Sequence, residues 1–170
     1  MTEILHLWAL APAAVGTCCL AADRRRVRAP ELTASALMLI AMLDAATVGL
    51  VATVFWAGML LLAAMALAGV RSGRRRHPAR RADTMTVHTA LGLVVMAALL
   101  LTMPGGQPSA PSGHAHGMHA GAVTVAVGLT ALGYVGWSAV ALLRAHTRLD
   151  RAQYAAMGVS VLAMVLAVSV

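Results

Sequence analysis

Charged residues are scarce in this 170-residue chain: they make up 11% of it, and no lysine is present. A soluble domain carries roughly 25% charged residues, so this chain has too few to cover a surface that faces water. Of its six acidic residues, only Asp44 lies within an apolar segment. That leaves no paired carboxylates and no nucleophile beside a base. A soluble domain is therefore excluded, and we predict that the protein is not an enzyme.

Cysteine is also scarce, since only the adjacent pair Cys18 and Cys19 is present. Neighbouring cysteines in one segment cannot join distant loops, and we expect them to be small packing residues rather than redox centres or metal ligands. The basic start of a secretory signal is missing as well, because Glu3 precedes the first apolar stretch and arginines follow it. We therefore expect the first segment to stay in the protein.

Long apolar runs dominate what is present, with 60% hydrophobic residues overall. A helix needs about 20 apolar residues to cross the hydrocarbon. The run at 32–70 is nearly twice that length, so we expect a helical hairpin with its turn near Asp44, Thr47 and Gly49. A single tilted helix would instead bury the Asp44 charge in lipid at a cost of at least about 2.5 kcal/mol. The predicted fold is a single-domain, all-α bundle of six spans, at 4–22, 32–46, 49–70, 85–103, 122–143 and 152–170.

The arginines give an independent test of this count. With six spans, all 13 lie on one side of the membrane, at 24–28, 71–81 and 144–151. Cytoplasmic loops carry such charge, so we expect both termini outside a bacterial cell membrane. Nucleic acid is a poor partner despite a pI of about 11.3, because the arginines only flank spans. Trp8 and Trp56 fall near outer helix ends, where aromatic side chains anchor helices.

The segment 104–121, PGGQPSAPSGHAHGMHAG, is the predicted outer loop between the fourth and fifth spans. It offers the imidazoles of His114, His116 and His119 and the thioether of Met118 within six residues. Imidazole suits copper, zinc or nickel, and thioether ligation selects Cu(I), so the set favours copper. The alternative is a flexible connector whose histidines respond to pH near their ordinary pKa of about 6.5.

Methionines recur at helical spacing within the spans. Met38 and Met42 stand one turn apart in the second span, and His88, Met96 and Met103 share a face of the fourth. This pattern would allow a thioether-lined path through the bundle, and Met38, Met42 and His88 are further candidate metal ligands. Methionines that fill the core, and an interior histidine held by hydrogen bonds, are the alternative.

Two parts of the chain resemble an uncharacterised family of small multi-spanning proteins from high-GC Gram-positive bacteria: ELTASALMLIAMLDA at 31–45, and VHTALGLVVMAALLLTMPGG at 87–106 followed by HAHGMHAG at 114–121. In that family a histidine opens the fourth helix and methionines follow at multiples of a turn, as His88, Met96 and Met103 do here. The second helix departs from the pattern, because Thr33 or Ala34 stands where a histidine is expected. The resemblance implies Met-spaced helices and a His/Met-rich outer loop, and no established activity.

These observations together predict a multi-pass plasma-membrane protein that binds or relays a transition metal, copper above all, at its outer face. The alternative is a non-catalytic accessory or structural subunit of a larger membrane complex. Small residues such as Gly128, Gly133 and Gly136 would let helices approach closely, within the bundle, between copies of it or against a partner. The lipid bilayer is the partner that both hypotheses share.

Overall fold

The computed structural model describes residues 2–22, 29–74, 80–102 and 120–169. Almost all of these residues are helical. The helices are Thr2–Ala22 (α1), Ala29–Ala46 (α2), Thr53–Arg74 (α3), Arg80–Thr102 (α4), Ala120–Arg144 (α5) and Arg148–Ser169 (α6). The prediction of an all-helical fold is confirmed for the described part of the chain.

The long apolar run at 32–70 is divided between α2 and α3. Gly49 adopts a left-handed conformation with φ of 60°, and its N–H donates to the Asp44 carbonyl at 2.8 Å. A residue with a Cβ is strained at such a φ, so glycine suits this end of the helix. Thr47 adds a bond from its Oγ1 to the Leu43 carbonyl at 2.7 Å. The chain therefore turns where the sequence has its turn residues.

Contacts between α4 and α5 show that these helices are antiparallel. His88 on α4 contacts Ser138 on α5. One turn further along α4, Gly92 faces Tyr134, which lies one turn earlier on α5. The contacts therefore move forward along α4 and backward along α5, as they do between antiparallel helices.

Helix α6 runs in the same direction as α4. The Tyr154 ring packs against the His88 ring, with centroids 4.7 Å apart. One turn further along both helices, Met157 lies against Gly92. The contacts therefore move forward along both helices together, so α4 and α6 are parallel and begin at the same end of the bundle.

Helix α2 begins at that same end, because Glu31 in its first turn bonds Thr86 in the second turn of α4. Arg144 at the end of α5 and Arg148 at the start of α6 lie there too. We call this the arginine end. The opposite end, where α2 turns into α3, is called the Asp44 end.

Helix α4 lies at the centre of the core, whereas α3 and α5 have broad exposed faces. Leu93, Met96 and Leu100 on α4 are fully buried, while Met65 on α3 is 72% exposed and Leu129 on α5 is 65% exposed. Large apolar faces of this kind are unusual in a soluble monomer. They suit helices that lie against lipid chains.

Four of the helices in the described part of the chain, α2 to α5, are long and apolar enough to cross a membrane. Helix α1 contributes a shorter apolar segment, Leu10–Cys19. The composition and length of these helices are compatible with a membrane protein. Helix α6 packs along both α1 and α5 and so belongs to the same bundle.

Candidate functional site

A layer of polar side chains crosses the bundle in its arginine half, centred on His88 of α4. The His88 side chain is completely buried, and Ser138 beside it is 3% exposed. Its Nε2 lies 2.8 Å from Ser138 Oγ, and its Nδ1 lies 3.2 Å from the Tyr134 hydroxyl. Both nitrogens of the imidazole therefore have partners on α5.

The surrounding hydrogen bonds favour one tautomer of His88. Ser138 Oγ donates its hydrogen to the Tyr134 carbonyl, 2.9 Å away, as serines in helices often do. The Ser138 oxygen can then only accept a bond from His88, so Nε2 carries the imidazole hydrogen. Nδ1 is left with its lone pair, and the Tyr134 hydroxyl lies 3.2 Å from it and 3.4 Å from the His88 carbonyl oxygen. In this tautomer Nδ1 is the basic atom of the His88 imidazole.

Two tyrosine rings enclose the imidazole. The Tyr134 ring is tilted by 36° at a centroid distance of 4.8 Å, and the Tyr154 ring meets the imidazole edge-on at 4.7 Å. Offset and edge-on contacts of this kind are the favourable arrangements of aromatic pairs. The rings fix the orientation of His88 from two helices, α5 and α6.

Gly92, one turn beyond His88, lets two side chains approach α4 closely. A Cβ at this position would come within 2.8 Å of both the Tyr134 hydroxyl and Met157 Cε. The same hydroxyl lies 3.9 Å from Met157 Sδ. The Tyr134 hydroxyl is therefore placed between an imidazole nitrogen and a thioether sulfur.

A second buried polar pair joins α2 to α4, on the side of this layer that is nearer the arginine end of the bundle. Thr86 Oγ1 donates to Glu31 Oε1 at 2.7 Å, and Glu31 is only 2% exposed. Two further buried polar side chains lie next to members of the layer along the chain: Thr89 follows His88 on α4, and Gln153 precedes Tyr154 on α6. Polar groups inside a membrane bundle are costly, so a layer drawn from four helices marks a candidate functional site.

The predicted ligands of α2 lie in the apolar core towards the Asp44 end. Met38 and Met42 are 3% and 2% exposed, and they belong to the same cluster of buried residues as Met96 on α4 and Met164 on α6. The structure thus brings thioethers of three helices into one core. His88 lies two turns away from Met96 along α4, among hydroxyl groups rather than among these thioethers.

The other predicted ligands, His114, His116, Met118 and His119, lie outside the described residues, as does Met103. Within the described ranges, no group of three or more His, Cys, Asp or Glu side chains is placed to hold a metal ion. The copper prediction therefore stays a prediction.

Sequence analysis missed the partners of His88. Tyr134 and Ser138 stand one turn apart on α5, and Tyr154 lies early on α6. A signal for the α5 pair was available, because Tyr134 and Ser138 are a turn apart in an otherwise apolar helix. Their pairing with His88, 46 and 50 residues away in the chain, depends on how α4 packs against α5.

Trp56 differs from the expected membrane anchor. Its side chain is only 8% exposed, and its Nε1 donates to Asp44 Oδ2 at 2.7 Å. The backbone N–H groups of Leu50 and Val51 donate to the same carboxylate at 2.9 and 3.1 Å. Trp56 therefore lies near a helix end, as predicted, and closes the α2–α3 turn from within, because the Asp44 carboxylate accepts its N–H in a charge-assisted hydrogen bond.

The small residues of α5 do not pack closely within the described bundle. A Cβ placed on Gly128, Gly133 or Gly136 would meet no atom within 4 Å. Close approach occurs instead at Gly16 and Gly92, which face α6 and the Tyr134 hydroxyl. The packing role expected for the α5 glycines within the bundle is thus not seen.

No family model, curated protein or solved structure matches the chain.

Proposed function

We propose that the protein is a six-span membrane protein that captures a transition metal, copper above all, at its outer face and passes it into the bundle. The observation that carries this proposal is that Met38, Met42 and Met96 are all buried in the one hydrophobic core, in the half of the bundle nearer the end at which α4 stops. Segment 104–121 follows α4, which ends at Thr102 at the Asp44 end. Soft sulfur ligands would thus receive a metal from imidazoles.

The six-span topology is supported by where the charges of α6 fall. Arg148, Asp150 and Arg151 lie in its first turn at the arginine end, and the apolar remainder packs along α1 and α5. With α1 and α6 as spans, every arginine lies on the cytoplasmic side and both termini lie outside.

Reporters fused to the chain test this topology. A reporter after Val170 should be active only in the outer compartment, and one inserted near Pro78 only in the cytoplasm. Two reporters on the same side of the membrane would contradict six spans.

Metal analysis tests the capture of copper. The protein, purified in mild detergent after growth with copper, should contain the metal, while a variant with His114, His116 and His119 replaced by alanine should contain much less. Bound copper should be lost as the pH falls below about 6, because a protonated imidazole cannot ligate a metal. Equal copper in both proteins would remove the outer loop as the capture site.

The second candidate is an accessory subunit of a membrane complex. The observation that favours it is the open face of α5, where three glycines lie beside exposed side chains such as Leu129 and Trp137. Such a face allows another helix to approach closely. A stoichiometric partner that co-purifies in mild detergent with a metal-free protein would favour this candidate over copper capture.

A further inference from the structure

We propose that His88 Nδ1 and Met157 Sδ form a buried binding site for Cu(I), which the Tyr134 hydroxyl closes when no metal is bound. This inference rests on the proposed function and adds a second, inner metal-binding site to it. Neither Met157 nor Tyr134 was among the ligands predicted from the sequence. The site would lie deeper in the bundle than the thioethers of α2.

The geometry begins with the lone pair on His88 Nδ1. Because Ser138 Oγ uses its own hydrogen on a backbone carbonyl, the imidazole hydrogen resides on Nε2 and Nδ1 is ready to ligate. A metal-binding imidazole characteristically donates its other N–H to a fixed acceptor, which sets its orientation. Ser138 supplies that acceptor at 2.8 Å.

The position of the Tyr134 hydroxyl indicates that Met157 Sδ is the second ligand. This hydroxyl lies 3.2 Å from His88 Nδ1 and 3.9 Å from Met157 Sδ, so one small group reaches both donor atoms. A metal ion that replaced the hydroxyl would be held by an imidazole nitrogen and a thioether sulfur. The hydroxyl would turn aside with its hydrogen retained, and no proton would be released.

The chemistry of the pair selects the ion. Thioether ligation favours Cu(I) among the biological transition metals. A doubly charged ion such as Zn(II) prefers four nitrogen, oxygen or thiolate ligands, and it would bring twice the charge into a bundle of low polarity. Even a single positive charge is costly there, so we expect the inner site to bind less tightly than the outer loop.

Gly92 provides the room for this arrangement. Since a Cβ there would come within 2.8 Å of both the Tyr134 hydroxyl and Met157 Cε, only glycine leaves the two groups close to α4. The Tyr134 hydroxyl lies beside the His88 Nδ1, the His88 carbonyl oxygen and the Met157 sulfur at once, and the proposed metal site would use the nitrogen and the sulfur.

The test uses the full chain with the outer loop disabled by His114, His116 and His119 to alanine and Met118 to leucine. In mild detergent under reducing conditions, Cu(I) is titrated against a competing chelator. We expect one Cu(I) to remain bound, and X-ray absorption to show one nitrogen and one sulfur ligand. Absence of this Cu(I) would overturn the inner site, while the intact chain would still report on the outer loop.

Met157→Leu and Met164→Leu form a matched pair in this background. Both side chains are buried on α6, at 5% and 2% exposure, but Met157 is the one near the Tyr134 hydroxyl. Met157→Leu should weaken Cu(I) binding at least about tenfold, because it removes the sulfur ligand, while Met164→Leu should leave it unchanged. Equal affinities in the two variants would overturn the proposal.

Tyr134→Phe distinguishes a metal site from a purely structural role of the hydroxyl. It also tests the proposal if Met157→Leu fails to fold. Removing the hydroxyl frees Nδ1 from the bond that a metal must displace. Cu(I) affinity should rise about fivefold, the factor that corresponds to one ordinary hydrogen bond. A tyrosine that only supports the fold would give unchanged or weaker binding, and that result would overturn the proposal.

Discussion

Two polar constructions in the described part of the bundle, one at the Asp44 end and one in the arginine half, are built in different ways. At the Asp44 end, one carboxylate accepts three N–H groups, all from residues within 12 positions along the chain. In the arginine half, His88 is held by hydroxyls and rings that lie 46 to 66 positions away. The first construction is local and charged. The second joins residues far apart in the chain and exists only once three helices have packed together.

This difference predicts that removal of His88 disturbs the molecule most. His88→Ala leaves a cavity between two tyrosine rings and takes the acceptor from the Tyr134 hydroxyl. We expect a loss of about 3 kcal/mol in the free energy of unfolding, measured by denaturant titration in detergent. His146→Ala is the control, since His146 is exposed in the α5–α6 connection and such changes stay within about 0.5 kcal/mol. Equal losses would show that the layer around His88 contributes nothing specific.

A smaller loss of stability is expected at Gly92, where the Tyr134 hydroxyl and Met157 come closest to α4. Gly92→Ala forces the Tyr134 hydroxyl and Met157 away from α4, which should cost about 2 kcal/mol by overpacking. Gly128→Ala, at a position with open space, should change stability by less than about 0.5 kcal/mol. The same unfolding titration checks both. A tolerated alanine at Gly92 would contradict the tight packing described for this layer.

The smallest effect is expected at the Asp44 end. Trp56→Phe keeps most of the ring but removes the N–H that reaches the Asp44 carboxylate, while the two backbone donors remain. The thermal midpoint should fall by about 3 °C. Trp137→Phe, where the ring is half exposed, should leave the midpoint unchanged. If both substitutions have the same effect, the bond between Trp56 and Asp44 does not stabilise the turn.

The contrast also explains how much was predictable from the sequence. The all-helical fold and the turn near Asp44 depend on apolar run lengths and on residues close in the chain, such as Thr47 and Gly49, so the pattern alone indicated them. The inward turn of Trp56 was missed, because the rule for membrane tryptophans describes an average preference. Its position 12 residues after Asp44 gave no sign of which side it would face.

The layer around His88 was beyond sequence reasoning for a physical reason. The methionine and histidine spacing on α4 identified one face of that helix as special, but spacing on one helix says nothing about which residues of α5 and α6 meet it. Tyr134, Ser138 and Tyr154 become partners of His88 only through the directions and depths of three helices. Glu31 was overlooked because it lies just before the apolar run of α2.

A competition titration of the intact protein with Cu(I) and Zn(II) tests the central claim, that the outer segment captures copper. The account predicts that replacing His114, His116 and His119 by alanine weakens binding of both ions at least about tenfold, because the imidazoles are lost. Met118→Leu should weaken Cu(I) binding more than Zn(II) binding, because thioether ligation favours Cu(I). If the intact chain binds Cu(I) no more tightly than the triple alanine variant, the claim is contradicted.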